Sequence, residues 1–153
     1  MNIIAHFPYL QTIHPLVGRL FEPVVEVTLT YKALAVRQLM FLDSGADISL
    51  IPASLGAALG LRPSDVQSST NVRSLVTERT PLRIVELHIQ IGATAPVPVR
   101  MGWIESDAVS PLLGRLDVFE HYTYASAGLK SELRKSSGPV AGEGEAFRFH
   151  IPH

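Results

Sequence analysis

Residues 41–52 read FLDSGADISLIP, an apolar strand pattern that ends abruptly in a carboxylate, a hydroxyl and a glycine at Asp43, Ser44 and Gly45. Aspartate, serine and glycine are ordinary turn residues, so the triplet alone is also typical of a junction between a strand and a turn. The apolar pair before it and the Ala-Asp pair after it make the pattern more specific. Two interpretations are therefore open at this point, a structural turn and a chemical site.

A second landmark lies further along the chain, where residues 111–119 read PLLGRLDVF, an apolar pair followed by Gly114 and Arg115. Together the two stretches resemble the retropepsin-like aspartic proteases, in which the Gly-Arg stretch leads into a short helix behind the catalytic loop. The resemblance covers most of residues 24–119. It implies an all-β fold, namely a retropepsin-like closed β-barrel with one or two short helices, assembled as a two-fold homodimer.

The resemblance implies an aspartic endopeptidase that needs two copies of the chain. Such enzymes hydrolyse peptides with two carboxylates so close together that both cannot ionise, and water is activated between them. This chain has one such loop, so Asp43 must pair with Asp43 of a second copy, and a homodimer becomes a requirement of the chemistry. The expected substrate is an extended polypeptide in the cleft between subunits. No cofactor is expected.

The resemblance also assigns roles to residues around Asp43. Ser44 is expected to hydrogen-bond across the dimer axis, and Gly45 lets the backbone approach the substrate closely. The other assignments are substrate binding by Ala46, Asp47, Ser110 and Leu112, flap positions at Val72, Leu75 and Val76, and a structural brace made of Gly114 and Arg115, the latter ion-paired with Asp47. A local turn hydroxyl at Ser44, and ordinary packing at Ser110 and Leu112, are the alternatives.

The sequence departs from the family pattern in three places. Residues 66–82, where the flap hairpin should lie, contain no glycine, Ser44 stands where threonine is commoner but keeps the hydroxyl, and an atypical polar segment follows Phe119. The flap region without glycine keeps another function open. Because fold alone does not decide activity, the alternative is a catalytically weak or inactive peptide-binding or scaffolding dimer of the same fold. A further alternative is a protease restricted to its own precursor or a fused neighbour.

Composition favours one domain and excludes several partners. A chain of 153 residues can bury its own core, and 46% hydrophobic against 18% charged residues suggests that some apolar surface is buried between subunits. The net charge of −1 gives no field to attract nucleic acid or an anionic membrane. Without a membrane-spanning run, a signal peptide or cysteine, a cytoplasmic location is expected. The pair His150 and His153 lacks a third ligand, so no metal site is expected.

Local patterns are dominated by strands. Alternation over 24–31 and 35–42 predicts a hairpin that leads into the Asp43 loop, and 83–91 and 97–104 predict further strands, with Pro98 at an edge or a strand start. Proline, alanine and leucine over 52–61 predict a short helix that stops at Gly60.

Four regions follow from these patterns. They are an N-terminal extension over 1–22, the retropepsin-like domain over 23–122, a polar mobile loop over 123–145, and a C-terminal strand over 146–153 at the dimer interface. The loop assignment rests on the charged, serine-rich and glycine-rich composition after Gly128. The assignment of the last strand combines alternation with the resemblance, since retropepsin chain ends interleave between subunits.

Overall fold

The computed structural model describes residues 3–66, 68–73, 79–126 and 130–135. The secondary structure of these residues is almost entirely β. The strands are β1 Ile3–Pro8, β2 Leu10–His14, β3 Gly18–Glu22, β4 Val24–Tyr31, β5 Leu34–Leu42, β6 Ser49–Ile51, β7 Ser68–Arg73, β8 Arg79–Gln90, β9 Val97–Ile104, β10 Leu112–Leu113, β11 Tyr122–Ser126 and β12 Lys130–Lys135. An α-helix, α1, spans Ala53–Ala58, and a 3-10 turn spans Pro63–Asp65.

Six strands close into a barrel. Their order is β4-β5-β10-β6-β9-β8, with β8 pairing back onto β4, and β7 lies outside the ring on β8. Closure allows each of these six strands to pair with a neighbour on both sides within the chain. The predicted all-β, closed-barrel fold with a short helix is therefore confirmed. Because β9 lies between β6 and β8, Pro98, its second residue, marks a strand start and not an edge strand.

The barrel interior is filled by alternate residues of its strands. Val25, Val27 and Leu29 on β4 are fully buried, because successive side chains of a strand point to opposite faces. The neighbouring strands β8 and β9 contribute fully buried residues at the same spacing, namely Val85, Leu87, Ile89, Val99 and Met101. Each fully buried aliphatic side chain contributes about 1.5–3 kcal/mol to folding. The core therefore fixes the register of the strands that carry the loops.

The predicted hairpin of β4 and β5 is confirmed. Tyr31 pairs with Leu34 at the turn, and Val24 pairs with Phe41 at the other end. The hairpin consequently delivers Asp43, which follows β5 directly, to the end of the barrel opposite the turn.

The predicted short helix is also confirmed, as α1. Its second residue, Ser54, donates its backbone N–H to Asp107 Oδ1 at 2.8 Å, so the first turn is capped from the loop after β9. Gly60 has φ 72 and ends the helix. Neither helical segment in the described part of the chain is long and apolar enough to cross a membrane.

The regions outside the barrel contain more strands than the sequence analysis predicts. The N-terminal extension forms β1 and the β2–β3 hairpin, and the segment predicted as a polar loop contains β12, which pairs with β1 and β11. Residues 123–126 and 130–135 of the predicted loop are thus strands, because pairing between β11, β12 and the distant segment Ile3–Pro8 outweighs a polar local composition. The C-terminal strand predicted over 146–153 lies outside the described residues.

Candidate active site

Asp43, in the loop after β5, is held by backbone hydrogen bonds within the loop and to β10. The Asp43 N–H donates to the Leu113 carbonyl at 2.9 Å, and the Gly45 N–H donates to Asp43 Oδ1 at 2.9 Å. The Ala46 N–H closes the turn on the Asp43 carbonyl at 3.2 Å. Asp43 and Gly45 are exposed, and Ser44 is half-buried. One carboxylate is therefore fixed on the surface of the protomer with its loop facing outward.

The short strand β10 brings the second landmark against this loop. Leu112 pairs in parallel with Phe41 of β5 and antiparallel with Leu50 of β6. Leu112 itself is half-buried and Leu113 is fully buried. The two sequence landmarks, which are far apart along the chain, are thus neighbours in the barrel, and the Gly-Arg pair emerges beside the Asp43 loop.

Gly114 lies where a side chain would collide with the loop. A Cβ at this position would be 2.4 Å from the carbonyl carbon and oxygen of Ile48 and 2.9 Å from the Ala46 oxygen. The Gly114 N–H donates to the Ser49 hydroxyl at 3.0 Å, and Ser49 is fully buried. The sequence analysis missed Ser49, although a single hydroxyl within the apolar run 48–52 is a usable signal.

Asp47 and Arg115 form the expected ion pair, between Oδ1 and Nη2. Their side chains are 85% and 55% exposed, and exposed pairs contribute only about 0–1 kcal/mol. The backbone makes a second connection, because the Arg115 N–H donates to the Ala46 carbonyl at 3.0 Å and the Leu116 N–H to the Asp47 carbonyl at 2.9 Å. These backbone hydrogen bonds hold the loop in place, and the ion pair orients two side chains on it.

The segment after Arg115 is a turn where the resemblance predicts a short helix. Asp117 adopts φ 60, which departs from helical geometry. Its Oδ2 accepts from the Arg100 backbone N–H at 3.0 Å and from Nε at 2.7 Å, and its Oδ1 accepts from Nη2 at 2.7 Å. Hydrogen bonding by the Arg100 side chain lowers the pKa of Asp117. This clasp ties the turn to β9.

The remaining predicted site residues, Ser110 and the flap positions, lie outside the loop 43–47 and outside β10. Ser110 lines a separate surface cavity of about 480 Å³, together with Gln38, Pro52 and Asp107. Val72 lies on β7, paired with Thr80 of β8, in the region where the flap hairpin was expected. The other two flap positions, Leu75 and Val76, fall outside the described residues. The structure thus brings the Asp43 loop against the Gly-Arg stretch, and Ser110 directly precedes Pro111, whose carbonyl accepts the Phe41 N–H at 3.1 Å.

Comparison with known proteins supports the fold. No protein-family model matches the sequence, and no curated protein matches it. Among solved structures, a crystal structure of a retropepsin-like aspartic protease from Rickettsia conorii is 11% identical with a TM-score of 0.56, and the match covers 84% of this chain and 98% of that one. At this identity the match shows the fold, so the resemblance seen in the sequence is confirmed as a retropepsin-like fold.

Two further solved structures match with lower TM-scores. The EIAV protease in complex with the inhibitor HBY-793 is 20% identical, with a TM-score of 0.48 and coverage of 68% of this chain and 88% of that one. The retroviral protease-like domain of Ddi1 from Leishmania major is 16% identical, with a TM-score of 0.46 and coverage of 76% and 91%.

Proposed function

We propose that this chain is an aspartic endopeptidase whose catalytic pair consists of Asp43 from each of two copies in a two-fold homodimer. The observation that carries the proposal is the position of Asp43, an exposed carboxylate held by the Gly45 N–H in a loop fastened to the Gly-Arg stretch. A single surface carboxylate is a weak catalyst, whereas two that share a proton can act as base and acid together.

The chemistry then follows from the shared proton. The ionised carboxylate of the pair takes a proton from water, which attacks the peptide carbonyl, and the protonated carboxyl group donates its proton as the leaving amine departs. Ser44 bonds across the axis and keeps the two loops close. Gly45 lets the substrate backbone approach closely, and a Cβ there would lie 3.2 Å from Asp43 Oδ1.

The proposed substrate is an extended polypeptide. A strand-lined cleft suits such a chain because backbone hydrogen bonds provide affinity while alternate side chains enter pockets. The paired strands β7 and β8, where Val72 lies, form the hairpin that would cover the cleft. Closure of such a hairpin is an ordinary loop motion that does not require glycine.

Asp43→Asn tests the proposal against the scaffolding alternative. Wild type and variant are incubated with a diverse peptide mixture at several pH values, and the products are read by mass spectrometry. The variant should stay a folded dimer, bind peptide and lose nearly all turnover, while Glu120→Gln, which replaces an exposed carboxylate outside the loop, should cleave normally. If the wild type cleaves nothing at any pH and Asp43→Asn binds the same peptides equally well, the scaffolding dimer replaces our proposal.

A further inference from the structure

The β2–β3 hairpin, residues 10–22, carries most of the exposed apolar surface of the described chain. Six of the eight large hydrophobic side chains that are exposed there belong to it, namely Leu10, Ile13, Leu16, Val17, Leu20 and Phe21. The three nearest the tip are the most exposed of the six, with Leu16 at 87%, Ile13 at 79% and Val17 at 66%. Such a concentration of exposed apolar side chains on one element is a feature of interaction sites.

Both faces of the hairpin carry apolar side chains beside polar ones. Gln11 pairs with Phe21 and Ile13 with Arg19, so Ile13 and Phe21 share one face, while Leu10 and Leu20 lie on the other. Within the described residues the two strands form a sheet of their own and pair with no third strand. A two-stranded hairpin is marginally stable in water by itself. Packing of its tip against another surface would supply the missing stabilisation.

The hairpin joins the barrel next to the Asp43 loop. The Pro23 carbonyl, directly after β3, accepts the Leu42 N–H at 3.0 Å, one residue before Asp43. Each strand of the hairpin has five residues, which corresponds to a reach of about 17 Å. A second copy seated on the Asp43 loop would therefore lie beside the root of the hairpin and within reach of its tip.

The size of the interface favours a second copy as the occupant. A stable dimer buries about 800 Å² on each partner, far more than the five-residue loop 43–47 can provide. The remaining exposed leucines are Leu34, at the opposite end of β5 from Asp43, and Leu39, a single side chain on the half of β5 nearer Asp43. The hairpin combines continuity with the Asp43 loop and six exposed apolar side chains, so we take it as the additional contact surface.

We infer that the β2–β3 hairpin is a dimerisation arm whose tip, formed by Ile13, Leu16 and Val17, packs against a second copy of this chain beside the paired Asp43 loops. The inference rests on the proposed dimeric function and adds the surface that makes the dimer stable. By two-fold symmetry each copy gives one arm and receives one, so every tip contact occurs twice. Loss of the tip should weaken assembly without changing the chemistry of a dimer once formed.

The triple variant Ile13→Ser, Leu16→Ser, Val17→Ser tests the arm, with dimer dissociation constants measured by sedimentation equilibrium. Because six apolar side chains lose their contacts per dimer, the constant should rise at least about 100-fold. Peptide turnover should return towards the wild-type value at high protein concentration. Leu34→Ser is the matched control, since it removes an exposed leucine distant from Asp43 and should leave the constant unchanged. An unchanged constant in the triple variant overturns the inference.

A second measurement does not depend on weakening the dimer. The chain contains no cysteine, so Leu16→Cys carries a single thiol whose rate of reaction with a maleimide reports its exposure. The rate should fall at least about tenfold as protein concentration passes the dimer dissociation constant, while the thiol of Leu34→Cys should react at a constant rate.

The outcomes separate the arm from the protease. A wild-type dimer that cleaves peptide while the Leu16→Cys thiol reacts equally fast in monomer and dimer overturns the arm alone. If the thiol is protected in a dimer that cleaves no peptide, the result supports the dimerisation arm and contradicts the proposed protease function. Protection that appears only when phosphatidylcholine vesicles or another protein are added overturns the second copy as the occupant.

Discussion

Gly45 and Gly114 both lie at the Asp43 site, but the absence of a side chain matters for a different reason at each position. A Cβ on Gly114 would meet rigid backbone of Ile48 at 2.4 Å, whereas a Cβ on Gly45 would meet the end of the Asp43 side chain at 3.2 Å. We expect Gly114→Ala to destabilise the fold by about 1–3 kcal/mol. Gly45→Ala should leave stability almost unchanged and reduce turnover, because only the carboxylate must move. Urea unfolding and peptide cleavage separate the two, and equal stability losses would contradict the assignment.

For the ion pair of Asp47 and Arg115, we expect a loss of function without a large loss of stability. Their ion pair is exposed, so Arg115→Ala should lower the free energy of unfolding by less than about 1 kcal/mol. Turnover or dimerisation should fall by a larger factor, because the loop loses an orienting side chain while its backbone hydrogen bonds stay. A double-mutant cycle with Asp47→Ala should show coupling in turnover. Losses of activity in proportion to unfolding would instead indicate a purely structural arginine.

The residues that the sequence could predict are those whose identity is part of a recognisable sequence pattern. Asp43, Gly114 and Arg115 stand in recognisable strings, and the structure places these strings side by side. Pro23 acts through its backbone carbonyl, which any residue could supply, so no sequence pattern indicates its role. Ser49 acts through a hydroxyl whose partner, the Gly114 N–H, lies 65 positions along the chain.

At the scale of elements, the turn after Arg115 depends on the clasp between Arg100 and Asp117. The pKa of Asp117 is lowered in the folded state by its hydrogen bonds from Arg100. The clasp therefore stabilises the fold fully above the unfolded pKa, about 3.9, and the contribution is lost as the pH falls through the lower folded pKa.

Asp117→Asn isolates this charge, because asparagine tolerates a positive φ. We expect the variant to be roughly 1 kcal/mol less stable than wild type at pH 7, with the difference shrinking below about pH 4. Urea unfolding at a series of pH values measures it, and Arg100→Gln should show the same pH dependence. A difference that persists unchanged at pH 2 would locate the effect in the backbone and not in the charge.

A strand could be predicted where its own residues show the alternating pattern, and not where its position depends on pairing with a distant segment. The strands β4, β5, β8 and β9 alternate in sequence, and they were predicted close to their observed bounds. The two-residue strand β10 is too short to have a period, and β12 is polar and obtains its place by pairing with β1. The β2–β3 hairpin has turn residues, Pro15 and Gly18, but its strands LQTIH and GRLFE do not alternate, so their sequence carries no clear strand pattern.

For the whole molecule, the essential point is that a closed barrel presents one anchored carboxylate at its surface. Each of the six ring strands pairs with a neighbour on both sides within one chain, so the barrel itself does not force a second copy to bind. If the activity belongs to the dimer, the specific turnover of purified protein should fall as it is diluted below the dimer dissociation constant. Peptide cleavage measured over a dilution series checks this expectation, and constant specific turnover in demonstrably monomeric samples would contradict it.

Subunit mixing provides the sharpest test at this scale. A mixed dimer of wild type and Asp43→Asn has one carboxylate and cannot share a proton between two. With a tenfold excess of variant subunits and random exchange, only about one tenth of the wild-type subunits should still pair with each other, so turnover at saturating peptide should fall to about one tenth. Excess Asp43→Asn that also carries the hairpin substitutions Ile13→Ser, Leu16→Ser and Val17→Ser should inhibit much less, because it exchanges poorly. Turnover that is insensitive to excess Asp43→Asn would mean that each chain acts alone, and the shared pair of Asp43 residues would have to be abandoned.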